Sequence, residues 1–314
     1  MRAIVVGAGI SGLTCAHRLR SAGHDVRIVT REPSAKTTSA VAAAIWTPYA
    51  VASDRVAQWS RHSYDAYAAQ AEDSNSAVSM VPLRILQAHD ADLPPWTEGV
   101  RSLERLAESD LPEGYAGGFS FVAPLAEMPT YLLRLATQLA ADGVQFEHRT
   151  VDDVDQELRE ADVVVNCAGL GARELVGDSE LYPIRGQLVT VTGATLPHAL
   201  IDDDGPDGLC YVVPRGDDIV LGGTAEAGEQ SLAVDQEQSE SIRQRCTERF
   251  PQLAAAQVER AVVGLRPGRP RIRLEAEVRG DGLVIHDYGH GGAGMTLAWG
   301  CADEVLALAT AQKS

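Results

Sequence analysis

The sequence lacks the basic excess that a nucleic-acid or anionic-membrane binder needs. Its 27 Lys and Arg residues stand against 44 Asp and Glu, a net charge of −17, and neutralising phosphates takes the opposite balance. Long apolar runs are missing too. The longest uncharged stretch, residues 37–53, is rich in Ala and Thr, is broken by Pro48, and is too short to span a bilayer. The five cysteines (Cys15, Cys167, Cys210, Cys246, Cys301) are odd in number and show neither C-x-x-C nor Cys/His zinc spacing. They read as small buried residues of a protein in a reducing compartment, and no metal is expected. Met1 leads directly into an apolar strand without the basic and apolar regions of a secretory leader, and Gln312-Lys313-Ser314 is not a peroxisomal Ser-Lys-Leu tail. A soluble cytoplasmic protein is the expectation. Aromatic residues make up only 5%, and no Ser/His/Asp or Cys/His group presents a nucleophile with its base.

What is there is an ordinary globular chain. With 314 residues, 45% apolar and 23% charged, it is long enough for two domains of ~100–200 residues each. Ala3-Ile4-Val5-Val6 is too brief for a helix and runs into glycines. A helix is expected over 13–22, ended by Gly23, and a strand over 26–30. Strand, glycine turn, helix, strand is a βαβ unit, and its apolar strands suit a sheet covered on both faces. Helical spacing recurs at 56–72 and 131–141, strands are expected at 78–86, 144–151 and 162–167, and 93–118 reads as a Pro/Gly-rich loop region. Residues 182–264 turn strand-rich, with candidates at 186–192, 209–213, 218–222 and 258–263. One helix at 236–250 is capped there by Asp235 and stopped by Pro251. A strand at 282–287, a glycine turn and a helix over 294–310 close the chain. The expected fold class is α/β. A Rossmann-like nucleotide-binding domain (1–55, 128–178 and 264–314) is interleaved with a discontinuous second domain (56–127 and 179–263) on a mainly antiparallel, mixed sheet.

Four groups of residues point to chemistry. In Gly7-Ala8-Gly9-Ile10-Ser11-Gly12, Gly7 permits a tight turn, Gly9 lets a pyrophosphate reach the backbone amides, and Gly12 lets the helix lie close to its strand. Dinucleotide binding is the reading, against an empty α/β turn. The second strand then offers Arg31 and Glu32. Glu32 stands about two places later than the simplest ribose-binding spacing, Arg31 could meet a phosphate or adenine, and both could be surface charges. The segment from Asp287 through Gly291, Gly292, Ala293, Gly294, Met295 and Thr296 opens the last helix with bare amides and a positive dipole end. It suits either the charge of a reduced flavin or a second phosphate, and His290 there reads as satisfying a backbone group more readily than as moving protons. Gly264-Leu265-Arg266-Pro267-Gly268-Arg269-Pro270 reads as a rigid loop presenting Arg266 as a fork for a carboxylate, although a loop arginine is otherwise merely solvated. Tyr211, on an expected strand, is on its own more readily a cross-strand packing partner.

Together these residues resemble the D-amino-acid oxidases, within the glutathione-reductase-type FAD oxidoreductases. The resemblance covers nearly the whole chain. It rests on residues 7–12, on 37–49 ending in Trp46-Thr47-Pro48-Tyr49, and on Val165-Asn166-Cys167-Ala168-Gly169 and Arg185-Gly186-Gln187. It rests further on 211–214, Leu221-Gly222-Gly223-Thr224, 264–270, and 287–292 through Trp299-Gly300-Cys301.

The resemblance implies that Arg266 grips a substrate carboxylate, that Tyr211 donates its hydroxyl to the same group, and that the Gly292 carbonyl accepts from the substrate amine. It implies FAD held by residues 7–12 at the pyrophosphate, by Thr37, Thr38, Ser39, Ala43, Ala44 and Ile45 along the flavin, by Val151 near adenine, and by residues 291–296 around the ring. The implied activity is oxidative deamination of D-amino acids to 2-oxo acids, ammonia and hydrogen peroxide. Hydride passes from Cα to flavin N5, dioxygen is the acceptor, and no side chain serves as acid or base. Eukaryotic members carry a lid tyrosine four residues before the counterpart of Tyr211; here Asp207 stands there, and the long lid is expected to be missing. Ala293 stands where some relatives have tyrosine. Members that prefer D-aspartate place an extra cation near the side-chain pocket, and residues 196–211 offer none, whereas Asp202, Asp203, Asp204 and Asp207 would repel an acid if they face the entrance. Neutral D-amino acids, then basic ones, are expected as substrates. The alternatives are a D-aspartate oxidase, a glycine or N-methyl-amine oxidase, and a non-catalytic FAD-binding protein. A homodimer stays open.

Overall fold

Strand β1 (Arg2–Val6), helix α1 (Ile10–Ser21) and strand β2 (Asp25–Thr30) form the βαβ unit expected from the sequence, with Val5 opposite Ile28 in a parallel ladder. The computed structural model describes residues 1–49, 51–89 and 91–311; the terminal Gln312-Lys313-Ser314 lies outside them. Helix α2 (Val56–Gln70) leads to strands β3 (Val78–Gln87), β4 (Arg101–Arg105) and β5 (Gly117–Ala126). Helix α3 (Met128–Ala141) starts with Pro129 in its first turn, where a missing amide costs nothing. Strand β6 (Gln145–His148), the short helix α4 (Val154–Glu157), strand β7 (Val163–Asn166) and the short helix α5 (Ala172–Leu175) come next. Five strands follow: β8 (Tyr182–Thr192), β9 (Ala199–Asp202), β10 (Cys210–Arg215), β11 (Asp218–Gly222) and β12 (Glu226–Ala227). The Asp235 side chain caps helix α6 (Gln236–Arg249) by accepting from the Glu237 and Gln238 amides. Strands β13 (Gln257–Gly268), β14 (Arg273–Arg279) and β15 (Gly282–Tyr288) precede helix α7 (Gly294–Ala311).

Among the described residues these strands make two sheets, an α/β architecture. One runs β14-β15-β7-β1-β2-β6 and is parallel except for β14. The other runs β12-β8-β11-β10-β9-β3-β5-β4, with β13 also paired to β8, and is antiparallel except where β3 meets β9. Much of the aromatic content joins α2 to β5: Trp46, Tyr64, Trp96, Phe119 and Phe121 meet at centroid distances of 5.0–6.1 Å, edge-on or tilted except for the stacked Phe119–Phe121 pair. Helix α7 is buried along most of its length. A Cβ on Gly300 would lie 2.2 Å from the Trp59 carbonyl, so only glycine allows α2 to cross here. No described helix is long and apolar enough to cross a membrane.

Three departures have physical reasons. The region expected as loop, 93–118, contains β4, an exposed edge strand whose Arg-Ser-Leu-Glu-Arg carries charge on both faces and so shows no alternation. Edge strand β14 was likewise unreadable, since Leu-Glu-Ala-Glu-Val is as helix-like as it is strand-like. The expected loop at 264–270 is instead strand as far as Gly268: Pro267 faces Pro183 at the end of the β13–β8 ladder, and Arg266 projects from sheet rather than from a free loop.

Candidate active site

In the first sheet, the parallel strands end on one rim, and each is followed by a segment lining a single cavity of about 700 Å³. After β1 come Gly7–Ser11, after β2 Arg31, Glu32 and Lys36–Ser39, after β6 Arg149–Asp152, after β7 Cys167–Gly171, and after β15 His290–Gly292 and Gly294–Thr296. Open α/β sheets bind ligands outside the carboxyl ends of their strands, and this volume lies within the usual range for ligand pockets.

The first turn is shaped for something that approaches backbone. Gly7 has φ +110°, and a Cβ there would lie 2.6 Å from the Cys167 carbonyl oxygen. A Cβ on Gly12 would lie 2.0 Å from the Gly7 carbonyl oxygen, so this glycine seats α1 on its own turn. Gly9 caps α1 without a side chain, no acidic residue stands in the first turn, and the Ile10 amide donates to Ser39 Oγ at 3.0 Å. Helix α7 points a second amino-terminal end into the cavity, again without acidic residues in its first turn. It is anchored to the 43–47 segment by a reciprocal pair: Thr296 Oγ1 donates to the Thr47 carbonyl at 2.8 Å and accepts from the Thr47 amide at 3.1 Å. These two helix ends and the open cleft between them fit the FAD that the resemblance implies.

The opposite wall is the second sheet. Arg266 Nη1 donates to the Thr224 carbonyl at 2.9 Å, and its guanidinium lies flat over Gly186, where a Cβ would stand 2.3 Å from Nη1. Among the described residues Arg266 has no carboxylate partner, whereas the buried or half-buried Arg185, Arg215, Arg249 and Arg269 each have one. Tyr211 stands beside Arg266, its ring against Gly222 and Gly223, where side chains would collide with it. Burial raises the Tyr211 phenol above its ordinary value, with the Arg266 charge opposing. Tyr49 packs on Gly292 with its ring 6.0 Å from the Arg266 guanidinium carbon, and burial raises its phenol too. Both hydroxyls are therefore neutral donors at ordinary pH. The result is an unpaired cation flanked by two phenols inside a cavity, a receptor for a small carboxylate.

Of the site residues read from the sequence, Gly7, Ala8, Gly9, Ile10, Ser11, Arg31, Glu32, Thr37, Thr38, Ser39, Ala43, Ala44, Ile45, Val151, Tyr211, Arg266, Gly291, Gly292, Gly294, Met295 and Thr296 all line this cavity. Gly12 sits behind its turn, and Ala293 is fully buried, packed with Trp59, Ile272 and Leu297. Arg31 and Glu32 are exposed on the rim. His290 lines the cavity, but its Nε2 meets Asp287 Oδ1 at 3.1 Å rather than a backbone group. Behind it Asp287 Oδ2 accepts from Cys15 Sγ at 3.3 Å, and all five cysteines are buried and free. The residue-by-residue reading missed Tyr49, Leu209 and Leu232, which also line the cavity, and of the four aspartates expected to repel an acid if they face the entrance, Asp203 lines it. Alternation on the expected strand would have placed Leu209 on the face of Tyr211.

Residues 2–308 match the family described as FAD dependent oxidoreductase (DAO). The chain is 45% identical over 316 residues to a D-amino-acid oxidase of Rubrobacter xylanophilus, covering 100% of this chain and 97% of that protein. It is 34% identical over 324 residues to a D-aspartate oxidase of Homo sapiens, covering 98% and 94%. Its fold resembles that of glycine oxidase from Geobacillus kaustophilus, with a TM-score of 0.79 at 20% identity over 98% of this chain and 94% of that one.

Proposed function

Because the chain belongs to the DAO family of FAD-dependent oxidoreductases, we propose that it is an oxidase that deaminates neutral and basic D-amino acids to 2-oxo acids and ammonia, with dioxygen as the final acceptor. The observation that carries this reading is Arg266: a half-buried guanidinium facing a ligand-sized cavity, with a tyrosine on either side and no acidic partner among the described residues. An unpaired charge in such a place is offset when a ligand brings its counter-charge. FAD, when bound, supplies the two-electron acceptor for the Cα–H bond and passes the electrons to dioxygen.

The protein's part is orientation. Arg266 and the Tyr211 hydroxyl hold the substrate carboxylate, and the Gly292 carbonyl accepts from the amine. With the carboxylate and the amine held, only one enantiomer would turn its Cα hydrogen toward the cofactor side of the cavity, and holding both groups lowers the entropic part of the barrier. Tyr49 closes the far side of the carboxylate site and excludes water. No side chain takes the Cα proton as a base. The residues of the glycine turn (7–12), with Arg31, Glu32, Thr37–Ser39, Ala43–Ile45 and Val151, and those of the second turn (291–296), hold the cofactor. This reading divides the chain into a cofactor domain (1–55, 128–178, 264–314) and a substrate domain (56–127, 179–263). Among the described residues the cavity's other Lys and Arg side chains, Arg31, Lys36 and Arg149, follow β2 and β6. Asp203 lines the same cavity as Arg266, Tyr211 and Tyr49, which supports neutral and basic substrates over D-aspartate. The free buried thiols support a reducing, cytoplasmic setting, and a homodimer is included in the proposal.

The test is an anaerobic titration of the yellow protein with D- and L-alanine. Bleaching by the D form alone is expected. Bleaching by neither, or by both alike, refutes the reading, and a colourless protein refutes every flavin-based one.

A further inference from the structure

The wall that meets the substrate's side chain is set by one strand pair. β9 and β10 run antiparallel, with Tyr211 opposite Ile201 and Cys210 opposite Asp202, so the next pair along the register is Leu209 and Asp203. Side chains alternate between the faces of a strand, and continuing that alternation one residue past the ladder puts Asp203 and Leu209 on the face of Ile201 and Tyr211. All four line the cavity, whereas Asp202 and Cys210, at 0% and 1% exposed, are packed behind the sheet.

The four aspartates of this turn have separate fates. Asp202 is taken up by the Tyr115 hydroxyl and by Arg249, and Asp207 by Arg249 at 3.0 Å. Asp204 accepts from the Ala88 amide at 3.2 Å. Among the described residues Asp203 has no cationic or side-chain hydrogen-bond partner, and it opens on the cavity at its solvent end. The cavity thus holds an unpaired cation at the Arg266 end and an unpaired anion at its mouth.

We propose that Asp203 reads the far end of the substrate side chain and selects D-amino acids that carry a side-chain cation. The inference rests on the carboxylate clamp described above. Asp203 stands one strand repeat, about 7 Å, from the Tyr211 pair, a distance a lysine or arginine side chain spans. Leu209 lies on the same wall, and Leu232, 63% exposed at the cavity mouth, offers apolar surface for the methylenes of such a chain. Leu232 is not a loose cover. The buried Arg185 donates from Nε to the Ser231 carbonyl at 2.9 Å and from Nη2 to the Ala233 carbonyl at 2.7 Å, the residues on either side of it. A substrate with a second carboxylate would meet like charge at Asp203.

The experiment compares kcat/KM for D-lysine with that for D-norleucine in the FAD-loaded enzyme. Asp203→Asn is expected to lower this ratio about tenfold, the lower end for a charge-assisted contact because the site is open to water. Asp204→Asn serves as the control and should keep the wild-type ratio, and Asp203→Lys should shift preference toward D-glutamate. A second readout needs no turnover: calorimetry should show 5-aminopentanoate binding more tightly than pentanoate to the wild type and losing that advantage in Asp203→Asn. An enzyme that oxidises D-norleucine while Asp203→Asn changes neither the ratio nor the binding overturns the role of Asp203 alone. An enzyme that oxidises no D-amino acid overturns the activity on which it rests.

Discussion

One wall of the cavity is backbone and the other is side chain. On the parallel sheet, the surfaces offered to a ligand are amides at the starts of α1 and α7, reached because side chains are missing at Gly7 and Gly9. On the antiparallel sheet they are a guanidinium, a phenol and a carboxylate, placed by the β13–β8 and β9–β10 registers, with the Tyr49 phenol packed on Gly292 beside them. The first wall is therefore damaged by adding atoms and the second by removing them.

That contrast can be broken by three substitutions. The largest effect is expected from Gly12→Ala, whose Cβ would stand 2.0 Å from the Gly7 carbonyl oxygen. Overpacking against backbone should cost about 3 kcal/mol and release the flavin, seen as a lower Tm and a lower flavin-to-protein absorbance ratio after gel filtration. A variant that keeps both would show that the turn is not close-packed. Arg266→Ala comes next. It should raise KM for every amino-acid substrate by the equivalent of about 1.5–3 kcal/mol while Tm and flavin content hold, since no internal ion pair is lost. An unchanged KM would remove the clamp.

The smallest effect is expected from Tyr211→Phe, about 0.5–1.5 kcal/mol of carboxylate affinity. Its sharper signature is in pH. A phenol donates only while protonated, and burial lifts this one above the usual value of about 10. Pentanoate affinity should then hold through that pH and weaken only above it, and Tyr211→Phe should abolish the alkaline limb assigned to this group. Weakening that begins below the usual phenol value would contradict the buried donor.

The same contrast explains what could be read without coordinates. β1, the glycine turn, α1 and β2 are contiguous, and each residue type has a local reason to be there, so both the elements and the family resemblance were legible. β13 was not: Pro267 looks like a loop residue until Pro183 is known to lie opposite it. Charged edge strand β4 carries no alternation to detect, and the Leu-Glu-Ala-Glu-Val of β14 is built of helix-favouring residues. Tyr49 was visible only as part of a resembling run, because its contacts with Gly292 and Arg266 cross more than 200 residues of chain. Asp203 could not be told from Asp202, Asp204 and Asp207 by composition. A register of one residue decides which of them sees the cavity.

The centre of the parallel sheet is made first and completed last. β1 pairs with β7, and β7 with β15, so a nascent chain emerging from the ribosome must carry an unfinished sheet until residue 288 and helix α7 are synthesised. Loss of the final fifth of the coding sequence would thus strip β7 of its partner strand β15 and remove the α7 half of the anion cradle. Premature termination there should yield aggregation-prone material rather than a weakened enzyme.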